Sequence, residues 1–226
     1  NKKNKRKLQA DLIFVFKKND KKQMAKFLKG NIHDLGNSKC NNFVIKKKKK
    51  KIKKIIFINS GLYKETISKE IKIFRHLNAY SKKNNIKLTM LSRKDNRYEK
   101  FYRDKFGNGN WIYAPRSNSL SSYKALTVDS VIVFSHSTFG LEALAIGHKC
   151  VIILHDLAKK NMNWKHKNNG FFWTNKINYN SISTVINRVK NIKHSEWSKR
   201  VKEISNFYLF HDPENKTKKK LIKKII

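Results

Sequence analysis

Residues 129–154, DSVIVFSHSTFGLEALAIGHKCVIIL, constrain this chain more than any other stretch. The β-branched run at 131–134 has the character of a buried strand. Ser135, His136, Ser137 and Thr138 follow, and residues so small and polar cannot extend it. Residues 139–147 are rich in Leu and Ala and carry one charge, Glu142, and Gly147 suits the left-handed residue that stops a helix. Residues 150–154 are a second apolar strand. Strand, hydroxyl-rich turn, helix and strand make a βαβ unit, which implies a parallel sheet.

The turn is where chemistry would sit. Ser137 or Thr138 can cap the helix, leaving backbone N–H groups aimed beyond the strand end, where an anion such as phosphate is favoured. Glu142 lies four residues after Thr138 and shares its face. A lone carboxylate in an apolar helix needs a partner such as a ribose hydroxyl, a backbone donor or an arginine. The competing reading is an ordinary capped helix with Glu142 on its wet side.

On either side of this unit the pattern alternates. Residues 12–16 are a strand candidate, followed by a helix from Asp20 to about Leu28 that Gly30 ends. Residues 31–42 read as a turn-rich crossover and 43–45 as a short strand or extended entry. Six lysines at 46–51 repel one another and extend the chain, which marks a linker and a domain boundary. Strands then fall at 55–58, 86–91 and 111–113, the last broken by Pro115, with helices at 65–83, 98–106 and 119–126. Residues 155–180 look irregular; 181–192 and 195–209 read as closing helices, each with a Ser at its start, before a basic tail at 216–226. The fold class is therefore α/β, a Rossmann-like doubly wound parallel sheet. It occupies 55–226, after a linker at 46–54 and the tail of an incomplete N-terminal domain at 1–45.

The 226 residues carry a formal net charge of +38, which invites a nucleic-acid reading. The lysines are scattered, however, and arginines able to make bidentate contacts are few. Lys, Asn and Ile also share A- and T-rich codons, so base composition is a competing cause. A basic module for nucleic acid would need aromatics exposed beside the lysines on one face. Peripheral contact with an anionic membrane accounts for the charge at least as well. Cys40 and Cys150 make neither a disulfide framework nor a zinc site, so a reducing cytoplasm is the default. No apolar run approaches the roughly 20 residues that cross a bilayer.

Ligands of open parallel sheets bind outside the carboxyl ends of the strands. The residues expected there are Ser60, Gly61, Arg93, Lys94, Arg116, Ser135, His136, Ser137 and Thr138. Hydroxyls, small residues and cations suit a phosphate-containing ligand better than a metal, and the alternative is polar loop ends with no ligand. Dinucleotide and P-loop fingerprints are absent, as are zinc-ligand spacings, an Asp-x-Asp pair and a hydrolase Gly-x-Ser-x-Gly elbow. The pairs His33-Asp34, His155-Asp156 and His211-Asp212 read as turn residues, because adjacent side chains diverge. His136 could serve as a base.

Residues 129–154 resemble the donor-binding segment of GT-B glycosyltransferases, most closely those of bacterial surface carbohydrate (O-antigen-type) biosynthesis. The likeness rests on Asp129, the strand at 131–134, the run STFGLEALAIG at 137–147, and Lys149. Weaker likenesses cover 11–16, 29–42, the strand and turn to Gly61, and 122–124. The resemblance implies a nucleotide-sugar donor in a cleft between two Rossmann-like domains. Ser137, Thr138 and the helix start, with Gly140 in the same run, would hold the diphosphate. Glu142 would contact the ribose, and Arg93 or Arg116 would help neutralise the leaving group, with no cofactor and no metal. The acceptor would be a polysaccharide or lipid-linked molecule of the cell envelope, and the place of action the inner face of the cytoplasmic membrane. Polyol-phosphate transfer and nucleotide-sugar epimerisation on the same fold remain alternatives. Only about 45 residues precede the lysine run, too few for a full acceptor domain; the acceptor site and catalytic base are expected to lie outside this chain, which would then be an inactive fragment.

Overall fold

The computed structural model describes residues 8–45, 51–61, 64–116 and 119–224. The basic stretch 1–7 and Lys46–Lys50 of the lysine run lie outside the described residues. Apolar β-branched runs form the strands β3 (Lys54–Ile58), β4 (Lys87–Ser92), β5 (Trp111–Pro115), β6 (Ser130–Phe134), β7 (Lys149–Ile153) and β8 (Trp173–Thr174), following β1 (Leu8–Val15) and β2 (Leu28–Asp34) in the chain. Strands β3 to β8 pair in parallel in the order β5-β4-β3-β6-β7-β8. The chain thus winds outward from β3 in one direction, returns to its other side at β6, and continues the opposite way. That reversal is the topological switch point of a doubly wound sheet.

Helices cover both faces because the central strands β3, β6 and β7 are apolar on both sides. Ile55, Phe57, Val131, Val133, Val151 and Ile153 are fully buried, as are their neighbours Ile58, Ile132 and Ile152. The long helix α2 (Lys64–Asn84), placed after α1 (Lys18–Met24), buries Ile73, Phe74, Leu77 and Tyr80 at helical spacing. Then come α3 (Glu99–Phe106), α4 (Ser119–Ala125), α5 (Thr138–Ile146), α6 (Asp156–Met162), α7 (Tyr179–Asn191), α8 (His194–Tyr208) and α9 (Lys216–Ile222). No helix among the described residues is long and apolar enough to cross a membrane.

Several local expectations change. Pro115 ends β5 rather than breaking it, because β5 is an edge strand and the missing N–H costs no ladder bond. The segment 28–34 is a strand parallel to β1, not a helix end and crossover. A Cβ at Gly30 would sit 1.8 Å from the Ala10 carbonyl oxygen, so glycine here permits close strand approach instead of stopping a helix. Residues 43–45 are unpaired, and the Phe43 ring stacks on Tyr123 at 4.3 Å. Residues 155–180 contain α6 and β8. His155 is an N-cap whose Nδ1 accepts from the Ala158 N–H at 3.2 Å. Asn178, not a serine, caps α7, and α8 starts after Lys193 with no side-chain cap.

Residues 8–45 form their own two-stranded parallel sheet with α1, and the end of the chain fastens this unit to the main sheet. Gly36 bridges His211 in antiparallel fashion, and the Phe210 N–H donates to Phe16 O at 3.0 Å. The side-chain amide of Asn215 donates to Ser38 O and Asn42 Oδ1, and its oxygen accepts from Asn41, each at 3.0 Å.

Candidate functional site

At the carboxyl end of β3 the chain turns through Asn59, Ser60 and Gly61, and a buried acid holds the turn. Glu70, on α2, has no solvent exposure, and its carboxylate accepts from the Ser60 N–H at 3.1 Å, the Ser60 hydroxyl and the Asn59 amide. Asn59 Oδ1 in turn accepts from the Gly61 N–H at 3.1 Å and the Tyr102 hydroxyl at 2.9 Å. Burial pushes the Glu70 carboxyl up to about 7, against the lowering effect of the bonds from Ser60. Gly61 has φ 117°, a conformation that favours glycine.

The facing turn follows β6. Ser135 donates its hydroxyl to Ile153 O at 3.0 Å, tying the turn to β7. Ser137 has extended backbone and its hydroxyl accepts from the Gly140 N–H at 3.3 Å, making it the N-cap of α5. At the other end Gly147 adopts φ 105°, the left-handed stop read from the sequence.

Between these turns lies a cavity of about 560 Å³, lined by Ser60, Arg93, His136, Ser137 and Thr138 together with Glu65, Thr66, Leu157 and Asn161. The ends of β3, β4 and β6 thus contribute to one space at the switch point. An adjoining cavity of about 360 Å³ shares His136, Ser137, Thr138 and Asn161 and runs against residues 8–45 through Phe16, Lys17, Asp20 and Asn37. Leu157 and Asn161 were invisible in the sequence because α6 is short and mostly polar. Glu65 and Thr66 were missed because only the apolar stripe of α2 was read.

Gly61 is buried beside Ser60 but does not line either cavity. The structure does not bring Arg116, Gly140 or Glu142 onto the linings. Arg116 lies with its guanidinium 4.9 Å from the Phe139 ring centroid, and its buried Nε and Nη2 have no hydrogen-bond partner among the described residues. Burial, then the neighbouring charge of Arg93, lower it to about 10, against the opposing pull of Glu142. Gly140 serves packing, since a Cβ there would lie 2.3 Å from the Phe134 ring. Glu142 is 6% exposed; its Oε1 accepts from Asn37 Nδ2 and its Oε2 from the Tyr123 hydroxyl, both at 2.6 Å. Asn37 also lines the smaller cavity, so Glu142 touches the cleft through an intermediary.

His136 lines both cavities and its ring lies 5.8 Å from that of His155. Burial lowers the pKa of His136, and burial, with His136 and Lys69 as neighbours that would repel a second positive charge, takes His155 down to about 4, so both imidazoles are neutral near pH 7. Among the described residues no cluster of three or more His, Cys, Asp or Glu could hold a metal ion.

A six-stranded parallel sheet covered by helices, with its polar cleft at the switch point, places the chain in the GT-B class of α/β folds. Structural comparison agrees. A "putative UDP-N-acetylglucosamine 2-epimerase from Listeria monocytogenes" superposes with a TM-score of 0.60 at 12% identity, over 96% of this chain and 59% of that one. The trehalose-6-phosphate synthase OtsA gives 0.52 at 12% identity, over 88% of this chain and 56% of that one. A structure described as "Trehalose-6-phosphate from E. coli bound with UDP-2-fluoro glucose" gives 0.50 at 10% identity, over 87% and 56%. The chain therefore spans less than two thirds of the length of these proteins, and the likeness is one of fold. No curated protein matches it in sequence. A protein-family model described as "putative O-antigen biosynthesis protein" matches residues 59–226, and the chain belongs to that family.

Proposed function

We propose that this chain supplies the nucleotide-sugar half of a glycosyltransferase that builds a cell-surface polysaccharide on the cytoplasmic side of the membrane. The observation that carries the reading is the convergence of Ser60, Arg93, Ser137 and Thr138, from three strand ends, on one cavity at the switch point. The start of α5 offers the Ser137 and Thr138 hydroxyls and backbone N–H groups to a diphosphate, the Glu70-held turn at Ser60 forms the facing wall, and Arg93 supplies the positive charge a departing nucleoside diphosphate requires. This chemistry proceeds by electrostatic stabilisation and asks for no metal. The smaller cavity, toward residues 8–45, is the place for the sugar, with His136 at the boundary of the two spaces as the candidate base. Residues 8–45 would then be the near edge of an acceptor-side domain, and the exposed Leu8, Phe16 and Phe27 fit a larger apolar contact there.

Supporting the reading are the O-antigen family membership and the UDP-sugar named in the description of one structure of similar fold. The similarity to a UDP-N-acetylglucosamine epimerase favours a second reading, isomerisation of the donor sugar, which uses the same nucleotide cavity. Calorimetric titration with UDP, GDP and CDP tests both. One of them should bind, and Arg93→Ala should weaken it roughly tenfold or more through loss of a charge-assisted hydrogen bond. No binding of any by the folded protein would refute the donor site. Transfer of sugar to an acceptor, as against recovery of an epimerised donor, separates the two readings.

A further inference from the structure

A third cavity lies at the opposite, amino end of the sheet, about 950 Å³ in volume, where no nucleotide of a doubly wound fold binds. Its walls are the approach to β3 (Lys51, Ile52), the start of β7 (His148, Lys149) and the end of α7 with the start of α8 (Lys190, Lys193). The lining among the described residues holds four lysines and no carboxylate. Lys149 is already engaged, its ammonium donating to Lys190 O at 2.9 Å and Ile192 O at 2.7 Å. Helix α8, 15 residues long, begins here with no side-chain cap among the described residues, and His194 and Ser195 of its first turn line the cavity.

His148 is the independent sign of a ligand. It is 6% exposed, yet its imidazole has no hydrogen-bond partner among the described residues and lines the cavity. Neither ring nitrogen is among the buried polar atoms left without a partner, so the imidazole edge opens on the cavity, where a ligand can reach it. His148 also lines an adjoining apolar cavity of about 290 Å³ formed by Phe43, Val44, Tyr123, Leu126 and Ile146, which shares Ile45 and Val128 with the third. A cationic mouth with an apolar extension has the outline of an amphiphile.

We propose that this amino-end cavity binds a phosphate monoester bearing an apolar group, with the phosphate between Lys193, the start of α8 and His148 and the apolar part in the adjoining groove. Its ligand is chemically separate from the nucleotide at the other end of the sheet. The phosphate accepts from the first-turn N–H groups of α8 and from His148, and the lysines neutralise it. Burial holds His148 at about 4, so its neutral ring meets the ligand, and an anion beside it raises that value.

Hexyl phosphate, inorganic phosphate and hexyl glucoside, each titrated into the full chain, test the assignment. Hexyl phosphate should bind at least about fivefold more tightly than inorganic phosphate, the glucoside should not bind, and Lys193→Glu should weaken hexyl phosphate about tenfold. The imidazole resonances of His148 should move on addition of hexyl phosphate and not on addition of the glucoside. His148→Phe should lose that binding while thermal unfolding confirms a folded chain. Equal affinity for the two phosphates would reduce the site to a free-anion site and overturn the proposal. So would an unmoved His148 resonance, or hexyl phosphate binding untouched by Lys193→Glu. Affinity for UDP should be the same in Lys193→Glu and wild type; a parallel loss would assign the effect to the nucleotide cavity.

Discussion

Asn37 donates its side-chain amide to Oε1 of Glu142 across 2.6 Å and 105 positions of sequence. Tyr123 fills the other carboxylate oxygen, and Cys40 lies close enough for its thiol to donate to the Glu142 carbonyl at 3.8 Å. One acid in the central helix therefore joins residues 8–45, α4 and α5 at the edge of the cleft.

Glu142→Ala strands two donors and should cost about 2–4 kcal/mol in unfolding free energy. Tyr123→Phe, which leaves the acid one partner, should cost about half as much. Urea denaturation with both variants measures this. A loss below about 0.5 kcal/mol for Glu142→Ala would remove the acid from the architecture and return it to a direct ligand role.

Gly140→Ala should destabilise by about 1–3 kcal/mol, because the added methyl meets the Phe134 ring at 2.3 Å inside a close-packed layer. Phe134→Leu in the same chain should recover part of the loss. If the double variant is no better than the sum of the singles, the clash is not the cause.

Glu70 titrates at about 7 in the folded chain against 4.5 as its ordinary value. Between those values the folded state holds the proton and the unfolded state has released it, so stability contributed by this group falls as pH rises from 4.5 to 7. Glu70→Gln should flatten that slope relative to wild type in melts taken across the window. Parallel curves would show that the acid is ionised when folded.

His155 runs the other way. Its folded value of about 4 lies below the ordinary 6.5, so the unfolded chain binds the proton first. The stabilising contribution is complete above pH 6.5 and is lost as pH falls toward 4. His155→Asn keeps an N-cap for α6 and removes the titration, so its deficit against wild type should shrink as the solution is acidified. A constant deficit would contradict the buried neutral imidazole.

Most strands and helices from β3 to β7 were legible because each carries a strong local signal: an apolar run of four or five residues in β3, β6 and β7, or a stripe that includes Phe74 and Leu77 in α2. Ser137 as a cap and Gly147 as a stop were legible for the same reason, since local chemistry decides them. β2 was not, because Gly30 and polar neighbours hide a strand whose existence depends on β1 coming within contact distance. α6 and β8 were too short to carry a period. Within the site, the hydroxyls and Arg93 could be placed from the ends of strands alone. The partners of Glu142 could not, because Asn37 and Tyr123 reach it only after the chain has folded back, and nothing in STFGLEALAIG announces them.

The clasp between residues 36–42 and 210–215 has a consequence for the order of events during synthesis. Phe16, Gly36 and Asn41 find their partners in Phe210, His211, Asp212 and Asn215, more than 170 positions later. Contacts so distant cannot form while the ribosome is still making the sheet, and closing so long a loop carries an entropic penalty that only the finished core can offset. Residues 8–45, made before the sheet, are therefore among the last to settle. Until then their exposed strand edges and phenylalanines are the surfaces on which a newly made chain is most open to misassembly.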